Sequence, residues 1–200
     1  MARTPTKRRD GNGAKSRQRA AKKPAQSRMP EEAVAPPADD TKLFSTKNDL
    51  PEDKRVEVIA LLNQRLAEAI DLQSQCKQAH WNVKGPSFIG LHKLFDDVNE
   101  DVETYVDLIA ERVVQLGGIA EGTIGAAEQR SKLPDYPIGI ATGAEHVAAL
   151  SDALSAFGRA ARITIAEMDE LEDAGSADML TGISRGVDKW LWFVEAHQQA

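Results

Sequence analysis

A single cysteine, Cys76, stands in the 200 residues of this chain, so no intrachain disulfide can form and a small cystine-stapled secreted scaffold is excluded. A lone thiol fits a reducing compartment. No apolar run approaches the 18 or more residues of a membrane span. The first 33 residues contain no Leu, Ile, Val, Phe, Tyr or Trp, and nothing there can offset the backbone entropy of folding by burying apolar surface. Residues 1–45 therefore read as a disordered basic tail and linker. A secretory signal would need an apolar stretch of about 7–15 residues after its positive charges, and a transit peptide would need an apolar helical face; neither is present.

Two further absences concern chemistry. Di-iron sites inside one helical bundle use Glu-x-x-His pairs. The residues three before the four histidines here are Lys77, Ile89, Gly143 and Val194, so no such pair exists. No methionine falls on either of the first two expected helices, which leaves a haem without an axial ligand there.

What remains is 42% hydrophobic and 28% charged, the balance of a soluble globular protein of one domain with a tail. The net charge of −6 conceals a split. Residues 1–30 hold ten cations (Arg3, Lys7, Arg8, Arg9, Lys15, Arg17, Arg19, Lys22, Lys23, Arg28) against Asp10, a charge of +9 that leaves −15 on the other 170 residues. Only the tail can meet a polyanion.

From 46 onward the pattern is helical. Val56, Ile59, Leu62, Leu66 and Ile70 step by three or four, predicting a helix from Pro51 to Val83 of roughly 50 Å, broken by Gly85-Pro86. Leu91, Leu94, Phe95, Val98, Val102, Tyr105, Ile109, Val113 and Leu116 predict a second, ending at Gly117-Gly118. Residues 119–141 read as a crossover with a short helical turn around Ala126 to Arg130. Thr142 and Glu145 form a capping-box pattern that opens a third helix, running to Asp173; Gly175 is its expected end and Ser176 the expected cap of a fourth, to Ala196. The fold expected is all-α, a four-helix bundle over 46–200 with one long connection between helices 2 and 3, the ferritin-like topology.

His80 closes the first helix. On the second, His92, Asp96, Asp107 and Glu111 fall near 0°, 40°, 60° and 100° at about 100° per residue, one side of the cylinder. His92 with Asp96 and Asp107 with Glu111 are i,i+4 pairs able to hold one ion. The two pairs stand roughly 22 Å apart along the axis. Metal ligands reach only about 2.0–2.2 Å. One straight helix cannot bring both to one metal, so a shared site needs a second copy of the chain packed antiparallel across a two-fold axis.

The run His80-Trp81-Asn82-Val83, Gly85, Phe88, Leu91-His92, Phe95-Asp96, then Asp107, Ala110-Glu111-Arg112 and Gln115-Leu116-Gly117-Gly118, resembles the DNA-protection-during-starvation family of miniferritins. The likeness continues through Ser176-Ala177-Asp178-Met179-Leu180-Thr181 and 188–195 and covers about residues 44–196. It implies a ferroxidase centre with up to two irons, His80, His92 and Asp96 coming from one subunit and Asp107 and Glu111 from its two-fold neighbour. It also implies a hollow dodecameric shell, Fe(II) oxidation preferably with hydrogen peroxide, storage of Fe(III), and nonspecific DNA binding through the tail, in the cytoplasm and on the nucleoid. Imidazole and carboxylate ligands suit Fe(II) without the thiolates that select softer metals. Trp81 would stand beside the site or at an interface. Asp169, Glu170, Glu172 and Asp173 resemble an acidic iron-entry pore, against a solvated helix end. Trp190, Trp192 and Phe193 read as core or interface anchors, Cys76 as a small buried apolar group, and His146 and His197 as ordinary. The alternative function is a structural nucleoid protein whose shell packs DNA around an idle or zinc-filled site.

Overall fold

The computed structural model describes residues 43–198, so the expected tail lies outside the described residues. Five helices follow in order: α1 (Glu52–Asn82), α2 (Phe88–Gln115), α3 (Ile124–Arg130), α4 (Gly143–Glu170) and α5 (Ala174–Glu195). Among the described residues there is no strand, only an isolated parallel bridge between Lys84 and Thr142.

The topology follows from which ends meet. Five residues join α1 to α2 and three join α4 to α5, and loops this short make antiparallel neighbours. Lys54 near the start of α1 pairs with Glu172 beyond the end of α4. Arg112 near the end of α2 reaches Asp173 and Ser176 at the start of α5, while Asp101 accepts from Trp190 Nε1 at 2.6 Å. Helices α2 and α4 are thus parallel, and the connection between them must run the length of the bundle. It is pinned at both ends: Phe44 N–H donates to Gly117 O at 2.8 Å, and Lys84 N–H to Ala141 O at 2.9 Å. Gly117 takes φ 88°, and a Cβ there would stand 2.5 Å from the Phe44 carbonyl oxygen, so only glycine fits.

The α1 helix buries Val58, Ile59, Leu62, Leu66, Leu72, Cys76 and Ala79. Val56 and Ile70, expected on that face, are only half-buried; the stripe turns from them toward Val58 and Leu72. The α2 stripe matches expectation apart from half-buried Leu94. Each fully buried leucine of this core contributes about 1.5–3 kcal/mol over an exposed one. The crossover turn is a real helix, α3, capped by Thr123.

At α4 the capping box forms as the sequence indicates: Thr142 Oγ1 accepts from Glu145 N–H, and Glu145 accepts from Thr142 N–H at 2.9 Å. The α4–α5 turn corrects the expectation. The third long helix ends at Glu170, not Asp173. Glu172 adopts the left-handed φ of 61°, with Asp173 N–H donating to Met168 O and Glu172 N–H to Asp169 O, the double closure of a Schellman turn. Gly175 lies inside the first turn of α5, and the cap is Asp173 rather than Ser176. A non-glycine left-handed residue carries no compositional flag, which is why Gly175 drew the boundary too late.

Candidate metal centre

Helix α2 is continuous from Phe88 to Gln115, so His92 and Asp96 stay a fixed axial distance from Asp107 and Glu111. His80 comes to the first pair because the short 83–87 connection folds the last turn of α1 against the first turns of α2. The two imidazoles stack at 3.7 Å between centroids, and each is tied to the other's backbone: His80 Nδ1 lies 2.7 Å from His92 O, and His92 Nδ1 lies 2.8 Å from His80 O. A carbonyl only accepts, so both Nδ1 atoms carry hydrogen. In the neutral rings this leaves both Nε2 lone pairs free to bind a metal, the orientation second-shell carbonyls usually impose on ligating histidines.

Asp96 Oδ1 is 3.8 Å from His80 Nδ1 and accepts from Lys77 Nζ at 2.6 Å. That ammonium holds the Asp96 carboxyl below the usual carboxylate range, against a smaller opposing effect of burial. Lys77 was not singled out by sequence. Its partner is nineteen positions away, and only the α1–α2 turn brings them together.

Asp107 and Glu111 are exposed on the far half of α2. Val114 is 59% exposed and Leu108 43% exposed beside them. Trp81 is 67% exposed on the outside of α1. Among the described residues no group of three His, Cys, Asp or Glu side chains is arranged to hold a metal ion. What one chain supplies is two incomplete donor sets.

The bundle interior offers no replacement. There Arg65 and a buried Glu68 form an ion pair at 2.8 Å, and Arg65 also donates to Thr164 Oγ1 and Ala160 O of α4. Of the four acids near the α4–α5 turn, Asp169 and Glu170 are exposed and Glu172 pairs with Lys54. Asp173 is buried, one carboxylate oxygen held by Arg112 at 2.7 Å and the other by Ser176 Oγ at 2.5 Å, so it serves as a cap rather than a free acid. Trp190 is buried as an anchor, whereas Trp192 is 63% exposed and Phe193 packs edge-on between the two. Cys76 is fully buried, and burial pushes its thiol up to about 12. His146, expected to be ordinary, is fully buried against Tyr136. No helix of the described residues is long and apolar enough to cross a membrane.

Helix order, crossover and the placement of donors on α1 and α2 define a ferritin-like protein, and the family model described as a ferritin-like domain matches residues 59–200. The DNA protection during starvation protein of Agrobacterium fabrum is 45% identical over 158 residues, 79% of this chain and 98% of that one. Its namesake in Mycolicibacterium smegmatis is 35% identical over 151 residues, 76% and 82% of the two chains. The solved Mycobacterium smegmatis Dps, tetragonal form, superposes with a TM-score of 0.75 at 34% identity, over 80% of this chain and 96% of that one. DpsA14 from Streptomyces coelicolor superposes equally well, at 0.75 and 32% identity over 80% and 95%. The chain belongs to the DNA-protection-during-starvation (Dps) family.

Proposed function

We propose that the protein is an iron-sequestering ferroxidase that oxidises Fe(II), preferably with hydrogen peroxide, at sites completed between two copies of the chain. It stores Fe(III) inside a hollow dodecameric shell and binds DNA through its basic tail, in the cytoplasm on the nucleoid. The observation that carries this reading is the register of α2. An antiparallel alignment that sets His92 against Glu111 also sets Asp96 against Asp107, and it sets exposed Ile89 against exposed Val114 at each end. One operation therefore completes both donor sets and covers apolar surface that a lone chain leaves in water.

In that arrangement His80 and His92 present Nε2 to Fe(II) and Asp96 supplies a carboxylate once Lys77 yields it. Asp107 and Glu111 of the second copy add the charge that favours Fe(III) over Fe(II). Trp81 flanks the ligands. Asp169, Glu170 and Glu172 remain the candidates for an acidic entry pore. The tail's ten cations, spaced on residues 1–30, follow phosphates without reading bases, which the −15 body cannot do.

Anaerobic Fe(II) titration followed by peroxide tests the oxidation: stoichiometric conversion to Fe(III) supports it, and inert Fe(II) rejects it. The Lys77–Asp96 pair favours a second reading, in which the ammonium keeps the site idle and the protein only packs DNA; the same titration decides. Deleting residues 1–30 should abolish DNA association and spare oxidation. Binding by the full chain should weaken with salt at a log–log slope of about −0.9 per phosphate neutralised.

A further inference from the structure

Where the crossover reaches the start of α4, Tyr136 OH and His146 Nδ1 are 2.6 Å apart, with the rings nearly parallel. The proposed iron chemistry makes no use of this pair. Residues 134–141 are held to the helices at their start by Gln75 Nε2, which donates to Pro134 O at 3.1 Å, and at their end by Lys84 N–H, which donates to Ala141 O at 2.9 Å. Between these points Pro137, Ile138 and Gly139 are exposed, Ile138 by 80%. Among the described residues it is the bond between Tyr136 and His146 that ties the middle of the segment to the bundle. Local opening costs least where so little apolar surface is buried.

The bond depends on a neutral imidazole. His146 is fully buried, and its Nε2 has no hydrogen bond of normal geometry. With Nδ1 accepting from the phenol, the ring's own proton sits on Nε2, where the Asn82 carbonyl at the end of α1 favours it. A second proton would occupy Nδ1, and the phenol could no longer donate there. The resulting cation would also lack a buried counter-charge. On α1, Cys76 lies alongside Tyr136, and burial pushes its thiol up to about 12. Burial likewise raises the Tyr136 phenol above its ordinary range. Lys84, in the α1–α2 turn, repels a proton on the ring. Glu145 of α4 attracts one, but it is exposed and accepts from Thr142 N–H and Oγ1 in the helix cap. Desolvation outweighs the pull of Asn82 and Glu145 and holds His146 below the usual histidine range.

We propose that Tyr136 and His146 form an acid-released clasp: proton uptake by the imidazole frees the middle of the crossover from the bundle and uncovers the α1 surface around Cys76. In the opened form the imidazole meets water and regains an ordinary value of about 6.5. The closed form therefore has its full advantage above that pH and loses it as pH falls toward the lower closed value. Within that window the open fraction grows about tenfold for each pH unit.

The test uses the full-length, iron-free protein with its single cysteine as the reporter. Labelling of Cys76 by 4,4′-dithiodipyridine, divided at each pH by the rate for a small free thiol, reads the open fraction. In the parent it should rise roughly tenfold between about pH 7.5 and about pH 5.5. His146→Gln cannot take the proton, and its labelling should show no such rise. Tyr136→Phe loses the bond and should label faster than the parent near neutrality. A flat response in the parent, a rise that survives in His146→Gln, or parental labelling in Tyr136→Phe overturns the proposal. Hydrogen exchange on the parent alone keeps the test independent of how the variants fold. Amide protection, corrected for intrinsic rates, should fall in acid over residues 131–146 and hold along α2; a loss shared equally by α2 overturns the clasp.

Discussion

Two polar constellations occupy opposite ends of α2, built from the same kinds of group. Near its end, Arg112, Asp173 and Ser176 lock α2 to the start of α5 with both Asp173 oxygens engaged, and Asp173 is only 5% exposed. Near its start, His80, His92 and Asp96 stand partly open, with two imidazole nitrogens unspent and one carboxylate held by a lysine that is itself 31% exposed. Satisfied and buried, a carboxylate is structure. Left half-satisfied and half-exposed, it can still do chemistry.

The largest effect should come from breaking the open end. Replacing His92 and Asp96 together by alanine should remove rapid Fe(II) oxidation in stopped-flow absorbance while leaving the melting temperature near that of the parent; full activity would mean the donors lie elsewhere. Breaking the closed end should do the reverse. Arg112→Ala strands a buried carboxylate and should cost about 3–5 kcal/mol in denaturant unfolding. Lys77→Ala lies between: an exposed ion pair contributes at most about 1 kcal/mol. Freed Asp96 should then bind Fe(II) more tightly in calorimetry, and unchanged affinity would show that the ammonium does not compete.

The smallest effect belongs to the α4 cap, which is exposed yet fully bonded. Bonds from Thr142 and the Ala141 N–H hold the Glu145 carboxyl below its ordinary value. A lowered folded value stabilises the protein at pH above the unfolded pKa of about 4.3, and the contribution disappears as pH falls through the lower folded value. The stability gap between parent and Glu145→Gln should therefore be constant near neutrality and close in acid.

Much of this was legible in the sequence because it is local. The α2 stripe, the Thr142–Glu145 box and each i,i+4 donor pair join residues only a few positions apart, and the axial separation of the two pairs is what the proposed second chain answers. What sequence reading missed depends on contacts between distant residues. Lys77 meets Asp96 only after α1 folds back on α2. Asp173 looked like one more surface acid until Arg112, 61 positions earlier, is placed against it. The Tyr136–His146 pair joins a loop to a helix start, where no periodicity applies. The end of α4 was misplaced because a glutamate does there what a glycine usually does.

The two histidines each use the other's backbone carbonyl as an anchor, and among the described residues neither ring is steadied by a third residue's hydrogen bond. Because each anchor is a backbone carbonyl, replacing one histidine by alanine leaves its twin's hydrogen bond in place and removes only the ring stacked on it. A chain keeping a single histidine should therefore keep one oriented donor and bind iron at a level between the parent and a chain with neither.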